Sequence, residues 1–315
     1  MPVKSESMEQ MKASKAFSGI IPIVAAVFDD QGRVDLEGFQ NLVKHLTQTG
    51  AQGLTLFGLA TEFYKLTDSE KERMMRIMLT ETSQSPHVAG IISITHHSWE
   101  VAVLQAQQAE ASGADALMLL PPFFLAPSAE AILTHAKKVA KAVSIPIIVQ
   151  YAPNQTGVRL SPDLFVQLRE ECENARFVKV ETQPPGKYAS LLHELSKGKV
   201  ETFVGYAGVQ MLDALARGSA GIQPGCSYTE IYVALYELFQ QGKQQEMDAL
   251  FQQLLPYISY WMQGVELLIK AEKVILQRRG LIASRYCRQP DYQLDATEEE
   301  MIDRFLQEFQ YYLGR

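Results

Sequence analysis

The 315 residues carry a formal net charge of −7, and 47% of them are hydrophobic against 21% charged, the proportions of a globular chain able to bury a sizeable core. The acidic balance and the lack of any Lys/Arg cluster exclude a nucleic-acid surface, so an anionic ligand would have to meet local cations or backbone amides. Cys172, Cys226 and Cys287 lie far apart without a CxxC spacing, which excludes a zinc ribbon and a disulfide framework and fits a reducing cytoplasm.

The first residues are polar and lack the apolar stretch of a signal peptide, so residues 1–17 read as a flexible lead. Gly19–Phe28 is apolar but too short to cross a bilayer, and no membrane partner is expected. Within it Ile20–Val27 reads as a buried strand. Leu36, Phe39, Leu42, Val43 and Leu46 then recur at helical spacing. Leu54–Phe57 reads as the second strand, and Thr67-Asp68-Ser69-Glu70 as a capping box that opens a helix. Val88–Ile94 and Ala116–Leu120 are the third and fourth strands, each followed by a helix, over Val101–Ala111 and Ala129–Val143. Ile145–Val149 is the fifth. Ser161-Pro162 begins the next helix, with proline at its first position. The run around Phe177–Val180 is the sixth strand, Glu201–Val204 the seventh and Ala220–Gln223 the eighth, with helices near Tyr188–Leu195 and Val209–Arg217 between them.

Eight such units with short Gly/Pro-marked loops predict an α/β chain folded as a (β/α)8 TIM barrel over residues 18–242. Residues 243–315 read as a C-terminal helical extension, with helices over Met247–Ser259, Val265–Arg278 and Glu298–Tyr312.

In a barrel of this kind chemistry sits at the C-terminal ends of the strands. The sixth strand ends there in Lys179, set among Phe177, Val178 and Val180. Burying an ammonium among valines is costly, which favours the free amine, the nucleophile that forms Schiff bases with ketones. The alternative is a strand-end lysine that snorkels to water. The loop Leu59-Ala60-Thr61-Glu62 could offer backbone amides to a carboxylate, or could be a plain turn. Gln150 and Tyr151 end the fifth strand, and because side chains alternate along a strand only one of them can face the mouth. His96 could titrate near neutral pH or be structural. Phe124, Glu181, Gly205 and Ile222 lie at or near other strand ends and complete the substrate-facing candidates. No HExxH, Walker loop or GxGxxG follows a strand, so no metal and no cofactor are expected.

Taken together, Gly19-Ile-Ile-Pro22, the Gly58…Glu62 loop with Glu70, Gly113-Ala-Asp115, Pro121-Pro122, Pro153 with Gly157, and Phe177-Val-Lys179-Val-Glu181-Thr182 resemble the dihydrodipicolinate synthase / N-acetylneuraminate lyase family of Schiff-base barrel lyases. The resemblance implies that Lys179 is the imine-forming lysine, that the Leu59–Glu62 loop faces the substrate carboxylate, and that the enzyme is a homotetramer built as a dimer of dimers. The sequence departs from the pattern of members that make dihydrodipicolinate. Leu59 and Ala60 replace relay threonines, Phe124 replaces a tyrosine, Gln150 stands at the usual catalytic tyrosine with Tyr151 one residue off register, and Gln155 falls near the usual arginine. These losses speak against dihydrodipicolinate synthesis.

Val149-Gln-Tyr-Ala-Pro153, Lys179-Val-Glu-Thr182, Thr95-His96 and Gly280-Leu-Ile-Ala-Ser284 running to Arg288-Gln-Pro290 are similar to 2-keto-3-deoxy-L-arabonate dehydratases. The expectation is therefore a lyase acting on a 2-keto-3-deoxy sugar acid as its small-molecule partner. Lys179 would be catalytic with Gln150 or Tyr151 beside it, and His96 or Glu181 would shuttle protons. A pyruvate-dependent aldolase of the same family, or a non-catalytic keto-acid-binding relative, stands as the alternative.

Overall fold

Eight short parallel strands run around a central core, and the order in which they pair follows the chain from β2 to β8 and returns to β1. The structure is a computed structural model that describes residues 17–314. The strands are β1 (Gly19–Ile20), β2 (Gly53–Leu56), β3 (Ala89–Ile94), β4 (Ala116–Leu119), β5 (Ile147–Tyr151), β6 (Phe177–Val180), β7 (Glu201–Val204) and β8 (Gly221–Ile222). Ile23 bridges both Thr55 and Gly225 in parallel, which brings the first and last edges together. The chain is a (β/α)8 barrel.

Helices α1 (Leu36–Leu46), α2 (Asp68–Ser83), α3 (Trp99–Ala111), α4 (Ala129–Ala140), α6 (Pro162–Glu171), α7 (Pro185–Leu195), α8 (Met211–Ala216) and α9 (Thr229–Gln240) follow the strands, with a single turn α5 (Pro153–Thr156) before α6. The capping box expected at the start of α2 forms, and Ser161 precedes α6 with Pro162 at its first position but makes no side-chain cap bond. Thr67 and Glu70 form a reciprocal capping box at α2, and Asp35, Ser98 and Ser128 cap α1, α3 and α4 through their side chains. The expected flexible lead lies, apart from Phe17, outside the described residues.

Alternation along the strands sorts side chains into two layers. Ile91, Met118, Ile148, Phe177 and Phe203 meet inside the barrel, while Val149, Val178 and Val180 face outward into the layer packed by the helices. Helices α10 (Gln244–Trp261), α11 (Val265–Arg278) and α12 (Ala296–Glu308) pack Trp261, Ile258, Val274 and Phe305 against Tyr228 and Tyr232 of the β8–α9 region. The apolar residues of the last helices thus bury within the chain.

Candidate active site

Lys179 points into the C-terminal mouth of the barrel and is only 4% exposed. The ladder sets its neighbours: Gln150 of β5 is its register partner on one side and Phe203 of β7 on the other. Past the strand end the Glu181 amide still donates to the Tyr151 carbonyl at 2.8 Å, so the alternation continues and Glu181 returns to the inner face. Its Oε1 lies 3.3 Å from Lys179 Nζ, and its Oε2 accepts a hydrogen bond from Gln150 Nε2 at 2.6 Å. Lysine, carboxylate and amide thus form one buried group.

Gly205 follows β7 beside this group, and a Cβ there would collide with the Glu181 carboxylate. Its role is to leave room for Glu181. The next two residues, Tyr206 and Ala207, both adopt positive φ, 51° and 49°, an arrangement costly for side-chain-bearing residues that swings the Tyr206 ring over the mouth. Its hydroxyl accepts a hydrogen bond from Asn154 Nδ2 at 2.9 Å, and burial holds the phenol above its ordinary pKa. The cavity is completed by Leu59, Ala60, Gln155, Gln223 and Gly225, by Met262 at the end of α10, and by Val265, Leu268 and Ile269 at the start of α11. Among its described lining residues Lys179 and Glu181 are the charged ones.

The candidates named from sequence divide between this cavity and other places. Gln150 faces the site, whereas Tyr151 points outward: its ring packs 5.0 Å from Tyr188 and 5.6 Å from Phe165, and its hydroxyl accepts the Leu160 amide. Leu59 and Ala60, in a one-turn 3-10 helix, line the cavity. Thr61 is turned away, donating to the Val24 carbonyl at 2.6 Å and accepting from the Phe57 amide at 3.1 Å. Glu62 is fully buried and paired with Lys65 at 3.1 Å and Lys273 at 2.9 Å, so it anchors the loop instead of meeting a ligand.

Two further placements correct the strand-end reading. Ile222 faces the helices beside Tyr232, and Gln223, one residue on, takes the inward position and donates to Thr55 Oγ1 at 3.2 Å. The Phe124 side chain is 78% exposed, outside the cavity. His96 accepts the Ser98 amide at its Nδ1 and offers its carbonyl to His135, whose imidazole burial holds below the usual pKa. It lies with the α3 N-terminus, apart from Lys179. Tyr206 and Gln223 follow closely on the ends of β7 and β8, so strand-end position points to them, whereas the α11 residues carry no local sequence signal because they arrive on a helix far along the chain.

A larger cleft of about 380 Å³ lies between α2 and α3, lined by Phe57, Lys71, Met75 and Gln108, but it contains none of the barrel-mouth groups. Among the described residues no cluster of His, Cys, Asp and Glu is placed to hold a metal ion, and no helix is long and apolar enough to cross a membrane.

Known proteins match along nearly the whole chain. A family model described as the dihydrodipicolinate synthetase family covers residues 16–309. An L-2-keto-3-deoxyarabonate dehydratase from Azospirillum brasilense is 28% identical, spanning 86% of this chain and 88% of its own. A probable 2-dehydro-3-deoxy-D-pentonate aldolase from Escherichia coli K12 is 25% identical over 90% of this chain and 94% of its own. The crystal structure of dihydrodipicolinate synthase from Rhodopseudomonas palustris superposes with a TM-score of 0.85 at 24% identity, covering 93% of this chain and 98% of that one. With a barrel that matches in fold and a family model that spans almost every described residue, the chain belongs to the dihydrodipicolinate synthetase family.

Proposed function

We propose that this lyase acts on a 2-keto-3-deoxy sugar acid through an imine on Lys179 and expels water from it. The observation that carries the reading is the buried trio of Lys179, Glu181 and Gln150 at the end of β5 and β6. The Lys179 amine adds to the C2 ketone, and loss of that oxygen as water gives the iminium. The iminium withdraws electrons from C3 and makes its hydrogen removable. Glu181, 3.3 Å from the amine, is placed to take the C3 proton. The enamine then pushes out the C4 hydroxyl, which leaves as water with the proton that Glu181 has accepted. Hydrolysis of the unsaturated imine frees the lysine.

The lining supports a monocarboxylate with a neutral tail. Lys179 and Glu181 balance each other, and among the described residues no second cation lines the cavity to meet a second carboxylate or a phosphate. Leu59 and Ala60 present the start of a 3-10 turn, whose first amides lack an intrahelical acceptor and suit the C1 carboxylate. Gln150, Gln155, Tyr206 and Gln223 offer neutral donors and acceptors to hydroxyls. The dehydratase among the relatives favours water loss over carbon–carbon cleavage.

Incubation with C5 and C6 2-keto-3-deoxy acids, followed by borohydride and mass spectrometry, tests the reading. The expected result is a reduced adduct on Lys179 and water loss from the substrate. Stoichiometric pyruvate would overturn the dehydratase assignment in favour of an aldolase, and no adduct with any of the acids would overturn the imine. The homotetramer is likewise a proposal, supported by Leu125 at 84% exposure next to Phe124 on the β4–α4 loop, and sedimentation analysis decides it.

A further inference from the structure

Helix α11 carries two adjacent buried ionisable side chains that serve different parts of the rim. Lys273 reaches the loop after β2 and pairs with Glu62 at 2.9 Å. Glu272, beside it and 2% exposed, turns instead to the loop after β8, where its Oε2 accepts the backbone N–H groups of Cys226 at 2.9 Å and Ser227 at 3.3 Å. Its Oε1 has no hydrogen-bond partner among the described residues. A carboxyl in such surroundings is costly to ionise, and burial pushes Glu272 up to about 7.

The segment that Glu272 holds is a wall of the cavity. Gly225 lines the mouth and bridges Ile23 at the barrel seam. A Cβ at 225 would collide with the Glu272 carboxyl, so this glycine answers to the group packed behind it. Glu272 is itself fastened by the two amides, which leaves it little freedom to yield. Farther along, Arg279 of the same helix binds the Ser227 carbonyl and pairs with Glu230 at 2.5 Å. Tyr228 stacks on Tyr232 at 5.3 Å, and the Tyr232 hydroxyl donates to the Ala207 carbonyl at 2.5 Å, which ties the same region to the β7 side of the mouth. The titratable groups around Glu272 are the Cys226 thiol and the Tyr228 and Tyr232 phenols. Burial raises all three, so they remain neutral, while the Arg279 cation is engaged with Glu230.

We propose that Glu272 is a positioning residue for the cavity: through the two backbone N–H groups it accepts, it seats Gly225–Ser227 against the Lys179 site. The proposal rests on the reading of Lys179 as the reactive group. A substitution Glu272→Gln keeps an oxygen for the two amides, whereas Glu272→Ala leaves them without an acceptor. With pyruvate as the probe and borohydride trapping as the readout, the half-saturating concentration should rise severalfold in E272A and stay close to the wild-type value in E272Q, while the maximal trapping rates stay alike. Equal half-saturating concentrations in the wild type and E272A overturn the proposal.

If E272A does not fold, Gly225→Ala alone and together with Glu272→Ser decides the matter. The single variant should lose pyruvate trapping and the double variant should regain part of it, whereas additive losses overturn the coupling. If the wild type traps no 2-keto acid at all, the lyase reading fails, and the packing of Glu272 on Gly225 is judged by unfolding free energies instead. Gly225→Ala should then cost less stability in the Glu272→Ser background than in the wild type, and an equal cost in both overturns the proposal on that route as well.

Discussion

Gln150 donates its side-chain amide to Glu181 Oε2 at 2.6 Å, and this one bond leaves Oε1 as the oxygen facing Lys179 Nζ. The arrangement separates tasks that a lone carboxylate would have to share. Gln150 fixes the rotamer, and Glu181 keeps a free lone pair near the atom where an imine would form. Because both residues rise from adjacent strands, their spacing is set by the ladder and not by a mobile loop.

Replacing Glu181 by Gln should leave imine formation intact and slow turnover by about 10²-fold or more, the usual scale for a lost proton-transfer group. Borohydride trapping and steady-state rates measured on the same preparation separate the two effects. Equal loss of both would mean that Glu181 serves the lysine and not the C3 proton. Lys179→Met, by contrast, should abolish the adduct and the turnover together.

Tyr151→Phe should be silent in catalysis. The hydroxyl accepts the Leu160 amide on the outer face of the barrel, so its removal should cost about 1 kcal/mol of stability. Denaturant unfolding together with kcat on the favoured substrate checks both halves, and a large fall in kcat with unchanged stability would contradict the outward placement.

Lys273→Met leaves Glu62 buried with Lys65 as its one remaining ionic partner. A buried charge left with no partner costs about 3 kcal/mol, and because Lys65 still compensates part of it the loss here should fall below that figure. Since Glu62 closes the turn that holds Leu59 and Ala60, the variant should also raise KM more than it lowers kcat. Urea unfolding and a KM-against-kcat comparison read out the two consequences.

Glu70 is held by the Arg288 guanidinium at a pKa of about 2, below its ordinary value, with Thr67 assisting through the capping box. A depressed carboxyl contributes stability above its unfolded pKa and loses it as pH falls through the folded one. Glu70→Gln retains a capping side chain, so the variant isolates the charge. The pair is partly exposed, which lowers its worth to on the order of 2 kcal/mol at neutral pH. Melting curves should show the gap between wild type and variant closing from about pH 4.5 toward pH 2.

Most elements were legible because their signals are local. Helices α1 and α11 and strand β7 lie where the spacing of Leu36–Leu46, Val265–Arg278 and Glu201–Val204 puts them. Strand β1 is shorter than the apolar run Ile20–Val27, because Pro22 has no N–H for the ladder and within the run Ile23 alone bridges beyond it. Strand β5 begins two residues later than expected and takes in Gln150 and Tyr151. Which of that pair faces inward depends on register against β6, a long-range property. A one-residue slip of the same kind separates Ile222 from Gln223. The acidic residue of the β2 loop was legible as important but not as to its target, since its partner Lys273 stands 211 positions along the chain.

Because α11 fastens the β2 loop through Lys273, the β8 loop through Glu272 and Arg279, and lines the mouth itself with Val265, Leu268 and Ile269, these pieces form one module. Grafting a rim loop from a related barrel onto this scaffold would strand a buried charge unless the helix travels with it. Chimaeras that exchange Gly58–Lys65 together with Val265–Arg279 should fold where exchange of the loop alone fails, which makes the module, and not the single loop, the unit in which specificity can be transplanted.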